Sequence, residues 1–331
     1  MAVGALRTVY ESLPESTRSW IKRRRYERQG IGQVKDNQAL IAKRLARLEA
    51  LQETDGKPAE VADPRFPPLV RSRVCTQAQL AEPWFARWCE AQGVPPVPHR
   101  KTWEFTYIPE VLDTLGFLEP GNRGLGFGVG REPLVAAFAS RGLEILATDL
   151  EASAREAERW SRTGQLASSV EGMMRPEICD PEKFRKLVDW RAVDMRAIPD
   201  DLRGFDFCWS ACSLEHLGTL AAGLEFIERS IETLRPGGIA VHTTEFNLSS
   251  DDETVESGTL VIYRKRDLIA LKERLEASGH EVAAFDFSPG DGVLDHFVDV
   301  PPYHEDGPTL RFLMGPYTLT SVAVVVRAGG S

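Results

Sequence analysis

An α/β fold with a doubly wound, largely parallel sheet is predicted by three observations. From Lys101 to Arg327, short apolar runs alternate with amphipathic helical stretches. A glycine-rich turn, Gly124, Gly126, Gly128 and Gly130, stands where the first run gives way to a helix. Asp149 closes the second run about twenty residues on, the spacing of one strand–helix–strand unit.

Residues 1–60 read as a helical N-terminal extension. Lys22, Arg23, Arg24, Arg25 and Arg28 form a basic cluster, and Leu40, Ile41, Leu45, Leu48 and Leu51 recur at helical spacing. Such a stripe either packs on the body or pairs with a second copy in a homodimer. The basic cluster is either a solvated helix face or a contact for a membrane surface or a glycan-assembly partner. Residues 61–100 read as a linker and helical cap. The linker is the Pro58–Pro68 stretch, and a helix over Thr76–Gln92 carries Leu80, Trp84, Phe85 and Trp88 on one side.

Residues 101–331 form the main domain. Its predicted strands are Asn122–Gly126, Glu144–Asp149, Arg191–Asp194, Phe205–Ser210, Ile239–Thr244, Glu281–Phe287 and Ser321–Arg327. Helices are predicted over Glu132–Arg141, Leu217–Leu234 and Arg266–Ser278, the last stopped by Gly279. Pro236, Gly237 and Gly238 spell a turn before the fifth strand. An insertion near 288–318 separates the last two strands, and connections of that length usually carry function.

Composition narrows the function. The 40 Lys and Arg are outnumbered by 49 Asp and Glu, for a net charge of −9, which argues against a nucleic-acid partner. Cys75, Cys89, Cys179, Cys208 and Cys212 make an odd set without a CxxC pair, the pattern of free thiols in a reducing compartment. No apolar run approaches the roughly 20 residues of a membrane span and no secretory leader is recognisable, so a cytoplasmic location is expected.

The glycines allow close approach of a ligand to the backbone, and the acid at the second strand's tip suits ribose hydroxyls, so a nucleoside-containing cofactor is implied. Dinucleotide turns place the third glycine three positions after the second; here Gly126, Gly128 and Gly130 step by two. Over roughly 101–327 the chain resembles the class I S-adenosylmethionine-dependent methyltransferases. The resemblance rests on that glycine triplet, on Asp149, on Val193-Asp194-Met195, on Phe205–Ser210 with the Ser213–Leu217 loop, and on the turn Leu234–Ile239. It implies a Rossmann-like sheet of seven strands whose last strand is antiparallel. It further implies S-adenosylmethionine as cofactor, held by Gly126, Phe127, Gly128, Gly130, Asp149, Leu150, Asp194, Met195 and Ser210. The acid that family members carry two residues before the first glycine is Gly124 here, so another group, from Glu132 or the Trp103–Tyr107 segment, must serve the methionine end.

Methyl transfer needs alignment and, for a hydroxyl acceptor, a base. Glu215 and His216 follow the fourth strand, and Glu245 ends the fifth, all at the edge where open α/β sheets bind ligands. His216 is either a base or a structural loop residue, and His242, inside a strand, reads as a core histidine. In the insertion, Asp295, His296, Asp299, Tyr303 and His304 crowd together. Glu215, His216, Glu245 and His296 are the catalytic candidates. No metal is assigned. The expected reaction is O-methylation of a small molecule or carbohydrate, with an NAD(P)-dependent oxidoreductase or a catalytically silent binding scaffold as alternatives.

Overall fold

A computed structural model describes residues 17–19, 38, 41, 64–151, 167–304 and 307–330. The basic cluster lies outside the described residues, as does the apolar stripe apart from Ile41, which is helical and exposed. The strands are β1 (Ser72–Arg73), β2 (Arg123–Phe127), β3 (Glu144–Asp149), β4 (Val188–Ala192), β5 (Phe205–Ala211), β6 (Leu234–Asn247), β7 (Glu281–Val282), β8 (Phe285–Asp286), β9 (Val298–Asp299), β10 (Arg311–Met314) and β11 (Tyr317–Arg327).

The main sheet runs β4-β3-β2-β5-β6-β11-β10-β9, and β7 pairs with the far end of β11. β2 to β6 are mutually parallel, whereas β11 runs against β6 from Leu319 opposite Asn247 to Arg327 opposite Ile239. Successive residues point to opposite faces. Phe207, Trp209, Val241 and Val325 pack under the helices Pro83–Ala91, Arg100–Thr114 and Leu134–Ser140. Leu125, Phe127, Cys208 and Val324 pack under Leu220–Ile231 and Lys265–Ala277. The segment expected as linker and cap joins the first of these cores from Phe66 onward. No helix among the described residues is long and apolar enough to cross a membrane.

Several expectations are corrected. The Thr76–Gln92 helix is two, Gln77–Leu80 and Pro83–Ala91, because Pro83 has no N–H and starts a new first turn. The third strand begins at Val188, so Asp194 falls in the turn beyond it. The Pro236–Gly238 turn lies inside β6 as a bulge: Phe205 faces Leu234, Phe207 faces Ile239, and Gly237 takes φ 77°. The predicted strand Glu281–Phe287 changes partner midway. Ala283 N–H bonds Val325 of β11, while the carbonyl of Ala284 accepts from Ser72, and Phe285 then pairs with β1. The insertion supplies the Val293–His296 helix, β9 and β10, which extend the sheet past β11.

Two glycines in β2 serve packing. A side chain at Gly124 would run into the Phe207 ring, and a Cβ at Gly126 would lie 2.5 Å from Trp209 Cζ2 and from Val129 Cγ1. Gly126→Ala is therefore expected to cost about 1–3 kcal/mol through overpacking, read as a lower thermal midpoint. An unchanged midpoint would show that the β5 rings can yield.

Candidate functional site

The parallel strands bring the turn after β2, the tip of β3 and the segments after β5 and β6 to one sheet edge. Gly128 and Gly130 hold φ of 58° and 51°, left-handed values that glycine adopts without strain. Asp149 ties this turn down. Its Oδ2 accepts from Gly130 N–H at 3.1 Å and Ala167 N–H at 3.0 Å, and its Oδ1 from Leu150 N–H at 2.8 Å. Burial pushes the Asp149 carboxyl up, against the pull of those amides. Three donors leave part of the carboxylate's capacity of about four lone-pair sites. Ser213 donates to the Gly128 carbonyl at 3.1 Å, and Met195 Sδ lies 3.3 Å from where a Gly128 Cβ would stand, so both residues border the turn.

Glu132 lies in the same turn and is buried. Trp209 Nε1 donates to its Oε1 at 2.5 Å. Desolvation pushes its carboxyl up to about 8, with Lys101, Glu104 and Asp149 as the surrounding charges.

Next to Ser213, Cys212 opens a buried polar cluster. Glu104, fully buried in the Arg100–Thr114 helix, accepts from Lys101 Nζ at 3.1 Å, Ser321 Oγ at 2.5 Å, Cys212 Sγ at 3.1 Å and Thr243 Oγ1 at 3.3 Å, and pairs with Arg100 Nη1 at 3.3 Å. Burial alone would raise this carboxyl, but the two cations and the hydroxyl and thiol donors hold it below its usual value. Arg100 Nη2 also pairs with Glu245 Oε1 at 2.8 Å, and its guanidinium lies 4.5 Å from the Phe312 ring. Thr244 Oγ1 donates to Glu215 Oε2 at 3.1 Å. The remaining oxygens, Glu215 Oε1 and Glu245 Oε2, are buried without a hydrogen-bond partner. Burial pushes Glu245 up to about 7; Arg100 pulls it down and Glu215 pushes it further up. Glu215 is likewise raised by burial. Cys212 is held at φ 48°, a strained value for a non-glycine residue. Its Sγ and oxygens of Glu215 and Glu245 lie within 4.8 Å of one another, a spacing a divalent cation can bridge. Arg100 and Lys101 against the same acids oppose a further positive charge.

The sequence thus singled out Glu215 and Glu245 as separate candidates, and the fold brings them together. It missed Arg100, Lys101, Cys212 and Ser321. Arg100, Lys101 and Glu104 stand three and four apart around a tryptophan, a charge spacing that would have marked a helix with an ionic face. Other candidates lie elsewhere. His216 Nδ1–H donates to the Thr259 carbonyl at 2.8 Å, fastening the loop after β5. Ser210 is buried inside the sheet, its hydroxyl 2.8 Å from His242 Nδ1, because residue 210 points to the Phe226 face. His242 also meets Ser230 Oγ at 2.9 Å, and burial pulls it down to about 3, as for a neutral core histidine. Phe127 packs edge-on against Phe226 and offers a ligand only its backbone. Asp194 is gripped by the amide and guanidinium of Arg196, which hold its carboxyl low. In the insertion the acids are spent internally: Asp295 pairs with Arg311 at 3.0 Å and Asp299 with His304 at 2.8 Å. His296 is exposed at the end of its short helix. Tyr303 packs against Phe312, the ring that Arg100 covers. All five cysteines are buried and unbridged.

No protein-family model matches the chain, and no curated protein does. Solved structures do. The DhpI complex with SAH is 17% identical, covering 77% of this chain and 97% of its own, with a TM-score of 0.38. The CcbJ methyltransferase from Streptomyces caelestis is 12% identical, covering 72% and 98%, with a TM-score of 0.40. Magnesium protoporphyrin IX methyltransferase from Synechocystis PCC 6803, with bound SAH, is 11% identical, covering 74% and 94%, with a TM-score of 0.42. The fold itself rests on the strand order: a Rossmann-like parallel sheet closed by a reversed last strand, β11, set between β6 and β7.

Proposed function

We propose that the chain is an S-adenosylmethionine-dependent methyltransferase whose acceptor is a hydroxyl of a small molecule or sugar. One observation carries this reading. A glycine turn tied to Asp149 adjoins a buried acid pair with two unpartnered oxygens, and the consecutive residues Cys212 and Ser213 link the two: Ser213 bonds the turn, and Cys212 Sγ lies within 4.8 Å of oxygens of both Glu215 and Glu245. A buried carboxylate oxygen without a donor is costly, so the site is built for a group that brings hydrogens to it.

The residues fit the cofactor's adenosine end. Asp149, with acceptor capacity left, would take a ribose hydroxyl; Met195 would cover the base beside Gly128; and the turn from Gly126 to Gly130, with Leu150, would contribute backbone. Asp194 would contribute little, being held by Arg196. Bound there, S-adenosylmethionine supplies a methyl group on a sulfonium and leaves as a thioether. The chain's own acids do the rest. Glu245 Oε2 takes the acceptor hydroxyl's proton, Arg100 fixes the same carboxylate through Oε1, and Glu215 Oε1 accepts from a second donor on the acceptor. Tyr303 and Phe312 wall this side.

The first experiment is calorimetric titration with S-adenosylmethionine and S-adenosylhomocysteine, with NADH as the control. Micromolar affinity for the sulfur nucleosides and none for NADH is expected; the reverse would restore the oxidoreductase, and binding of neither would leave a silent scaffold. Transfer of labelled methyl to amine rather than hydroxyl probes would reassign the acceptor.

A further inference from the structure

The acid cluster holds more carboxylates than cations. Glu104, Glu215 and Glu245 are all buried, and among the described residues the cations paired with them are Arg100 and Lys101. Burial keeps the Cys212 thiol neutral. The partners are shared unevenly. Glu104 takes both cations and also Ser321, Thr243 and Cys212, so its needs are met. Glu245 has one end of Arg100, Glu215 has the Thr244 hydroxyl, and each keeps one buried oxygen without a hydrogen-bond partner. Those oxygens call for hydrogens, and the surplus negative charge decides of which kind. Hydroxyls would satisfy the oxygens and leave the charge. A divalent ion, which the spacing of Cys212, Glu215 and Glu245 alone would admit, brings one charge too many beside Arg100 and Lys101. One ammonium group meets both needs.

Resting on the proposed methyltransferase function and narrowing its acceptor, we infer that the acceptor is an amino alcohol, its ammonium group held by Glu215 Oε1 while its hydroxyl meets Glu245 Oε2. An oxygen of Glu215 and one of Glu245 lie within 4.8 Å of each other, which places amine and hydroxyl on adjacent carbons or one carbon apart, as in a 2-amino sugar. The rings of Tyr303 and Phe312 lead inward to these acids. Tyr303 is 45% exposed and packs edge-on against Phe312, whose ring lies 4.5 Å from the guanidinium that fixes Glu245. In the reaction a C–O bond forms as the methyl leaves sulfur, and the hydroxyl proton passes to Glu245. The ammonium keeps its protons, and without a lone pair its nitrogen is no nucleophile, so the same contact directs the methyl group to oxygen.

The test offers the wild type matched probes that differ in amine against hydroxyl: glucosamine against glucose, and 2-aminocyclohexanol against cyclohexane-1,2-diol. Transfer is read with methyl-labelled S-adenosylmethionine, and binding without turnover by calorimetry in the presence of S-adenosylhomocysteine. The amino members are expected to bind about 10- to 100-fold more tightly than their partners and to take the label on oxygen. In Glu215→Gln the amide oxygen can still accept from Thr244 while its NH2 group faces the ligand. The advantage should vanish there through KM, with the hydroxyl members bound as before. Amino members that bind no better than their partners, or not at all, would overturn the amino alcohol. So would label on nitrogen, a requirement for added magnesium, or an advantage that survives in Glu215→Gln. The wild-type comparison decides by itself if that variant does not fold. Each of these failures leaves the methyltransferase reading standing while S-adenosylhomocysteine binds; a wild type that does not bind it loses both.

Discussion

Replacing Glu245 by glutamine is expected to slow methyl transfer by about 10²–10⁴-fold, while S-adenosylhomocysteine binds as before. The carboxylate is buried, one oxygen is fixed by Arg100 at 2.8 Å, and the other has no partner, so a single acceptor atom is presented to the acceptor hydroxyl. Its placement near 7 gives the sign of the pH dependence. A base works when deprotonated, so the rate should rise as pH climbs through about 7 and then level off. Because Glu215 pushes Glu245 up, Glu215→Gln should move the rising limb to lower pH. Initial rates against pH for the wild type and both variants check this. A limb that survives in Glu245→Gln would place the base elsewhere.

The frame of the fold was legible in the sequence because strands and helices repeat with different periods and because glycine and proline punctuate them. β3 matches its predicted bounds, Glu144–Asp149, β2 is shifted by one residue at each end, and β5 runs one residue longer than predicted. Glu281–Phe287 was not legible. Its residues suit a strand throughout, and what divides it is a choice between β11 and β1, a tertiary matter to which local pattern is blind. The Arg100–Thr114 helix was missed because Pro109 and the Thr102–Tyr107 mixture blur its period. That helix carries Glu104 and both cations of the acid cluster, so missing it concealed the cluster. Glu215 and Glu245 could be found singly, since each ends or follows a strand at the ligand edge. Their pairing through Arg100, Thr244 and Cys212 depends on side-chain direction across strands and helices far apart in the chain.

Arg100→Leu is expected to destabilise the protein by about 3–5 kcal/mol, the cost of leaving buried acids without their cation. Arg100 is shared: it faces Glu104 Oε1 at 3.3 Å and Glu245 Oε1 at 2.8 Å, and both carboxylates are buried. Urea denaturation of the variant should therefore show a lower midpoint. Arg191→Ala, which breaks the exposed pair with Asp201, should move it little. Unequal loss at these two arginines follows from burial, not from the number of ion pairs broken. The double variant Arg100→Leu, Glu245→Leu should recover part of the loss, since a buried pair replaced by apolar side chains of similar volume is often neutral in stability. Such a recovery would show that Glu245 is not kept for stability. A full loss persisting in the double variant would assign the cluster to folding instead, with Glu104 as the acid that needs Arg100 most.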